Sequence, residues 1–307
     1  MSSVFDTVKL SKSDTPFTIP KNLTDLDSFE FDGLEGKTNL REMLDSSYTD
    51  AFVILKDNKI IFEEYQNEMK DSDLHLMNSV SKSFVGMLLG ILEDEAKLST
   101  TDKVIKYIPE LQNSAFQETT IQHALDMTAA VKFTEDYNDS TSEFWHEAAV
   151  VGWRPDLKSK VSSTNLLEFM TSLKETSQKE FEMFDYRTVL TNILALTAER
   201  ACQIKFQDLL QTYIWDKLKT EHDAQIVSDG NDFPYMGAGM NASARDLAKF
   251  GLMLMNNGTF NDTQIVPESW IKWTLEESAE YQNIFSKSEY GLRSVSYTHL
   301  TLPTTLV

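Results

Sequence analysis

The sequence predicts an α+β chain in which strands come first and a long helix-rich region follows. Three observations carry this. Ala51–Lys56 (AFVILK) and residues 60–65 (IIFEEY) are β-rich runs separated by Asp57-Asn58-Lys59, the pattern of a hairpin. From Ser81 onward Phe84, Val85, Leu88, Leu89, Ile91 and Leu92 recur at helical spacing and form a broad apolar stripe. Further helical stretches follow at about 102–109, 120–128, 163–172, 187–200, 206–217, 243–256 and 267–276.

Taken in order, residues 1–45 read as polar and irregular, with Pro16 and Pro20 as breakers. The hairpin comes next, and a polar link over residues 68–73 leads to Ser79. Gly86 and Gly90 interrupt the apolar stripe and permit close approach, which predicts a helix buried in the middle of the fold. Ser243 is placed to cap the helix that starts Ala244-Arg245-Asp246-Leu247, Gly258 to end it, and Pro267 to open the last one. Tyr290-Gly291-Leu292 reads as the start of a strand. Residues 295–304 (VSYTHLTLPT) are the translation of one frame of a transposon-end adapter used in sequencing libraries. Residues 295–307 are therefore expected to be a non-native tail, and the natural gene to continue beyond Ser294.

A chain of 307 residues suffices for one large domain or two intimate ones. Its net charge of -20, from 48 acidic and 28 basic residues, disfavours nucleic acid and anionic membranes as partners. The acidity itself reads as solubility or a saline habitat. The single cysteine, Cys202, excludes an internal disulfide and a cysteine-based zinc site. There is no basic segment followed by an apolar one at the start, and no apolar run of the roughly 18 residues that span a bilayer. A cytoplasmic location is expected. The pattern leaves the oligomeric state open, a homodimer included.

Ser79-Val80-Ser81-Lys82 is the candidate for chemistry. Residues i and i+3 of a helix share a face, so hydroxyl and amine can meet without a distant partner. A nucleophile with its own proton acceptor results. Ser269-Trp270-Ile271-Lys272 has the same spacing, so the motif alone is weak. Ser79 differs in heading the most apolar helix, where free backbone N–H groups and the helix dipole favour a developing negative charge. Two readings of Ser79 stand at this point, nucleophile or plain N-cap. No G-x-S-x-G, G-x-G-x-x-G or G-x-x-x-x-G-K-[ST] occurs, and the histidines show no metal-ligand spacing. Lys82 serves as a base only if burial keeps part of its amine neutral. Tyr186, at a polar break before a helix, could relay the proton; a tyrosine there is otherwise core or rim.

Several blocks together resemble the 6-aminohexanoate-dimer hydrolase family of the serine β-lactamase and penicillin-binding-protein superfamily. They are Tyr48-Thr49-Asp50-Ala51-Phe52, the hairpin, His75 through Ser83, Tyr107-Ile108-Pro109-Glu110-Leu111, Leu125-Asp126-Met127, Glu135-Asp136-Tyr137, Gly152-Trp153-Arg154, Phe184-Asp185-Tyr186 and Ala244-Arg245-Asp246-Leu247-Ala248. The resemblance implies a β-lactamase/DD-peptidase-like fold, a mostly antiparallel sheet flanked by helices with a helical insertion, over residues 46–294. It implies Ser79 as acylated nucleophile, Lys82 as general base, Tyr186 as proton donor to the leaving group, and Tyr137 and Trp153 as substrate-cleft residues. It implies a small ester or linear amide as substrate, with no metal or organic cofactor. A non-catalytic peptide-binding module and a D-alanyl-D-alanine peptidase or β-lactamase are the alternatives. Two departures stand out. Many relatives carry Tyr-x-Asn where this chain has Tyr186-Arg187-Thr188. A Lys-Thr-Gly-like third motif is expected on strands after Leu292 and is not in the sequence.

Overall fold

The computed structural model describes residues 4–33 and 36–275. Its strands are β1 (Thr7–Leu10), β2 (Glu30–Gly33), β3 (Gly36–Asn39), β4 (Ala51–Lys56), β5 (Lys59–Tyr65), β6 (His75–Leu76), β7 (Ala224–Val227), β8 (Met240–Ala242), β9 (Thr259–Phe260) and β10 (Thr263–Gln264). Its α-helices are α1 (Leu40–Ser46), α2 (Ser81–Asp94), α3 (Ile121–Leu125), α4 (Glu143–Val150), α5 (Leu166–Ser172), α6 (Thr188–Cys202), α7 (Phe206–Leu210), α8 (Ala244–Met255) and α9 (Glu268–Leu275). The class is α+β, and the paired strands of the described residues are antiparallel.

The hairpin is present. Asp57 (φ 51°) and Asn58 (φ 58°) both take the left-handed conformation of a tight two-residue turn between β4 and β5. A second sheet has the order β1-β7-β8-β6. Here the reading of residues 1–45 as irregular needs correction, since β1, β2, β3 and the start of α1 lie in it. The reason is range. Thr7 pairs with Val227 and Leu10 with Ala224, so a four-residue segment becomes a strand through a partner more than two hundred residues away.

Most of the expected helices appear, with local differences. Pro109 splits the stretch 102–109 into short 3-10 turns, Val104–Lys106 and Pro109–Asn113. The stretch 206–217 is α-helical to Leu210 and continues as a π turn over Gln211–Trp215. α4 escapes the pattern because it is only eight residues long and places Glu147 among its buried residues. The expected strand at Tyr290-Gly291-Leu292 and the expected tail at 295–307 lie outside the described residues.

The core forms around α2, whose residues from Ser81 to Leu92 are all buried. Phe84 stacks on Phe250 of α8, with centroids 3.9 Å apart, and tilts against Trp215. The two glycines of α2 face Trp270: its indole Nε1 donates to the Gly86 carbonyl at 3.1 Å, and a Cβ added at Gly90 would lie 2.3 Å from the Trp270 ring. On a free helix Gly→Ala stabilises by about 1 kcal/mol. Gly90→Ala is expected instead to destabilise by roughly 1–3 kcal/mol, because the ring must move. Urea unfolding measures the sign, and a gain in stability would contradict this packing.

α8 is tied down at its N-terminus. Ser243 caps it, accepting from Asp246 N at 3.2 Å. The buried Asp246 carboxylate accepts from the N–H groups of Glu221 (2.8 Å) and His222 (3.0 Å), from Ser243 Oγ (2.8 Å) and from Lys249 Nζ (3.1 Å). Arg245 reaches across to Glu63 of β5, which also holds Lys21 and Tyr65. Burial raises the Glu63 carboxyl, but these hydrogen bonds outweigh it and hold the group down at about 2. The hairpin is thereby docked on α8.

Candidate active site

Ser79 lies in a 3-10 turn, Asn78–Val80, between β6 and α2. Asn78 is left-handed (φ 46°), a conformation asparagine tolerates better than most residues. The turn is clamped to β8. Met77 N donates to Met240 O at 2.9 Å, while Ser81 Oγ donates to Asn78 O at 2.6 Å and accepts from Met240 N at 3.2 Å. Ser79 is not a plain N-cap, because the cap position of α2 is Val80 and Ser79 Oγ receives a bond from Lys82 Nζ at 3.0 Å.

Lys82 is 2 % exposed. Its amine also donates to Gly237 O at 2.6 Å and sits over the Tyr186 ring, 5.0 Å from the centroid. Burial lowers the amine from its ordinary 10.5 to about 8, against the opposing pull of Glu135 and Glu147. Ser79, Lys82 and Tyr186 are thus brought together from the head of α2 and the segment before α6. Arg187, fully buried, holds the Tyr186 segment by hydrogen bonds to Ala129 O, Ser177 Oγ (3.0 Å) and Asp185 Oδ2 (2.6 Å).

The other two sequence-predicted residues stand further out. Tyr137 is largely exposed and donates to Glu135 Oε1 at 2.8 Å. Glu135 in turn accepts from Thr188 N (2.6 Å) and Thr188 Oγ1 (2.7 Å), so Tyr137 is linked to the residue two beyond Tyr186. Thr188 therefore spends its hydroxyl on a carboxylate at the position where the sequence resemblance leads to an expected asparagine. Trp153 packs edge-on against Tyr235, with centroids 5.3 Å apart.

Residues not singled out from the sequence complete the surroundings. Gly237 supplies the carbonyl that Lys82 bonds, and its N–H donates to Asn192 Oδ1 at 3.0 Å. Asn192 Nδ2 donates to Glu147 Oε1 at 3.0 Å, and Tyr235 OH donates to Glu147 Oε2 at 3.4 Å. Burial pushes the Glu147 carboxyl up to about 8. Glu147 was detectable only as a charge in the run Phe144 to Val150, and Gly237 only as one of two glycines in Gly237-Ala238-Gly239.

The second motif is not a second site. Ser269 is exposed, and Lys272 pairs with Glu268 at 2.7 Å. Two of the histidines pair with carboxylates: His75 with Asp50 (3.0 Å) and His123 with Glu180 (2.9 Å). A cavity of about 380 Å³ opens beside the Ser79 turn, lined by Tyr48, Phe52, Met77, Val80 and Leu247 among others. Ser79 and Lys82 are not in its wall, so the chemistry is read from the Ser–Lys contact and not from this cavity. Among the described residues no helix is long and apolar enough to cross a membrane.

Comparison with known proteins identifies the family and the fold. The chain is 32% identical over 238 residues to a 6-aminohexanoate-dimer hydrolase of Paenarthrobacter ureafaciens, an alignment covering 77% of this chain and 59% of that protein. The chain thus spans about three fifths of that relative's length. A Bacillus anthracis structure that carries 6-aminohexanoate-dimer hydrolase as a provisional name superposes with a TM-score of 0.85 at 25% identity, over 96% of this chain and 81% of that one. A D-stereospecific amidohydrolase from Streptomyces shares the fold at a TM-score of 0.54 and 12% identity, over 72% of this chain and 71% of that one. The sequence pattern described as Beta-lactamase matches residues 38–286. With that match over most of its length, and with strands, helices and the Ser79 turn arranged as above, the chain belongs to the Beta-lactamase family.

Proposed function

We propose that the protein is a serine hydrolase that cleaves a small ester or linear amide through an acyl-enzyme on Ser79. The observation that carries this reading is the 3.0 Å contact between Ser79 Oγ and the buried Lys82 amine. Once neutral, Lys82 turns its lone pair to Ser79 while an N–H keeps the bond to Gly237 O. It takes the hydroxyl proton as Oγ attacks the carbonyl carbon. Tyr186 then delivers its proton to the departing alcohol or amine as the carbon–leaving-group bond breaks, and the Lys82 ammonium passes the serine proton on to the Tyr186 oxygen. Water attacks the acyl carbon and gives a proton to the neutral Lys82 amine; the bond to Oγ breaks, Lys82 returns the proton to Ser79, and the carboxylic acid leaves. The Ser79 N–H is assigned as one oxyanion donor. Tyr137 and Trp153 are assigned to the walls of the substrate cleft. Thr188 in place of asparagine speaks for esters and linear amides over β-lactams.

Hydrolysis of p-nitrophenyl acetate tests the reading, and Ser79→Ala with unchanged turnover would overturn it. The acylation rate is expected to rise between about pH 6 and pH 9 with a midpoint near 8, because only the neutral amine accepts the proton. A midpoint at the ordinary lysine value would show that burial does not tune Lys82.

A further inference from the structure

Between α4, α6 and the loop before β8 a line of buried polar groups ends at the Lys82 amine. Glu147 and Asn192 have no exposed surface. Glu147 Oε1 accepts from Asn192 Nδ2 at 3.0 Å, Asn192 Oδ1 accepts from Gly237 N at 3.0 Å, and Gly237 O accepts from Lys82 Nζ at 2.6 Å. The two peptide groups that meet at the Gly237 Cα thereby both touch the line: the N–H before it is held from α6 and the carbonyl after it holds the lysine. The peptide also has little room. A Cβ added at Gly237 would stand 2.3 Å from Thr188 Cγ2 and 3.4 Å from Asn192 Nδ2. A buried acid held by one amide at 3.0 Å and one hydroxyl at 3.4 Å is an expensive feature to keep in a core.

We propose that Glu147 and Asn192 are positioning residues, which pin the backbone at Gly237 through its N–H so that its carbonyl, in the next peptide group, holds the Lys82 amine against Ser79. This rests on the reading of Ser79 and Lys82 as nucleophile and base, and it extends that site to α4 and α6. Neither residue touches Ser79. Asn192 anchors the peptide group that carries the Gly237 N–H, the crowding around the Gly237 Cα limits the turn into the group that carries the carbonyl, and Glu147 fixes which edge of the Asn192 amide faces the N–H. If the carbonyl swings away, Lys82 loses the bond that aims its third proton-binding position at Oγ. Misplacement of a reacting group by about 1 Å costs on the order of 10²-fold in rate.

The test is the rate of labelling of Ser79 by a fluorophosphonate, measured against probe concentration on the folded fraction of the full chain isolated by size exclusion. Asn192→Ser is too short to reach Gly237, and Glu147→Leu leaves Asn192 unheld. Both are expected to lower the maximal labelling rate constant roughly 10²-fold, with the half-saturating probe concentration unchanged. Glu147→Gln keeps an acceptor for Asn192 and is expected to recover most of the rate lost in Glu147→Leu. A role confined to packing would reduce the amount of folded protein and leave the rate constant of that fraction alone. Wild-type rate constants in Asn192→Ser, or equal rates in Glu147→Gln and Glu147→Leu, would overturn the positioning role while leaving the nucleophile reading standing. Absence of label on Ser79 in the unaltered chain would overturn the nucleophile reading and the positioning role with it.

Discussion

Replacing Lys82 by methionine is expected to slow acylation of Ser79 by roughly 10²–10⁴-fold, the range a general base contributes. The side chain is nearly isosteric, and methionine fits irregular apolar gaps. Two effects on stability oppose each other. The buried amine no longer has to be desolvated, the very cause that lowers its proton affinity to about 8. The Gly237 carbonyl loses its partner, at a cost of about 1–3 kcal/mol. The fold should therefore survive while the chemistry is lost. Stopped-flow acylation with an activated ester, alongside urea unfolding, separates the two. A variant that acylates within a few-fold of the unaltered chain would remove Lys82 from its role as base.

The largest expected loss of stability is at Asp246, away from the chemistry. Its carboxylate binds two backbone N–H groups of the segment before β7, the cap serine of α8 and the buried Lys249. Asp246→Ala leaves the Lys249 ammonium in the interior, with Lys219 O at 3.0 Å and Glu221 at 3.3 Å as remaining partners. Removing one member of a buried ion pair costs about 3–5 kcal/mol. The denaturation midpoint should fall accordingly at near-neutral pH. A change under about 1 kcal/mol would mean that the loop and Lys249 find other partners.

Much of this was legible in the sequence where the signal was local. The hairpin announced itself through Asp57-Asn58 between β-rich runs, and α2 through its apolar stripe. The Ser79–Lys82 contact follows from helical spacing at the head of that stripe. What stayed hidden depends on contacts across the chain. β1 exists because β7 accepts it, and the Gly237 carbonyl reaches Lys82 across 155 positions. Thr188 read as a departure from Tyr-x-Asn, while Arg187 beside it, to which the sequence reading gave no role, is the buried anchor of the Tyr186 segment. Trp270, in the misleading second motif, turned out to be the partner that the glycines of α2 were keeping room for.

The central claim is that Ser79 carries the acyl group. The direct measurement is to quench a reaction with a p-nitrophenyl ester in acid and map the acyl adduct by peptide mass spectrometry. The expected result is one adduct, on Ser79, absent from Ser79→Ala and strongly reduced in Lys82→Met. An adduct on another residue, or one of equal yield in Ser79→Ala, would contradict the account.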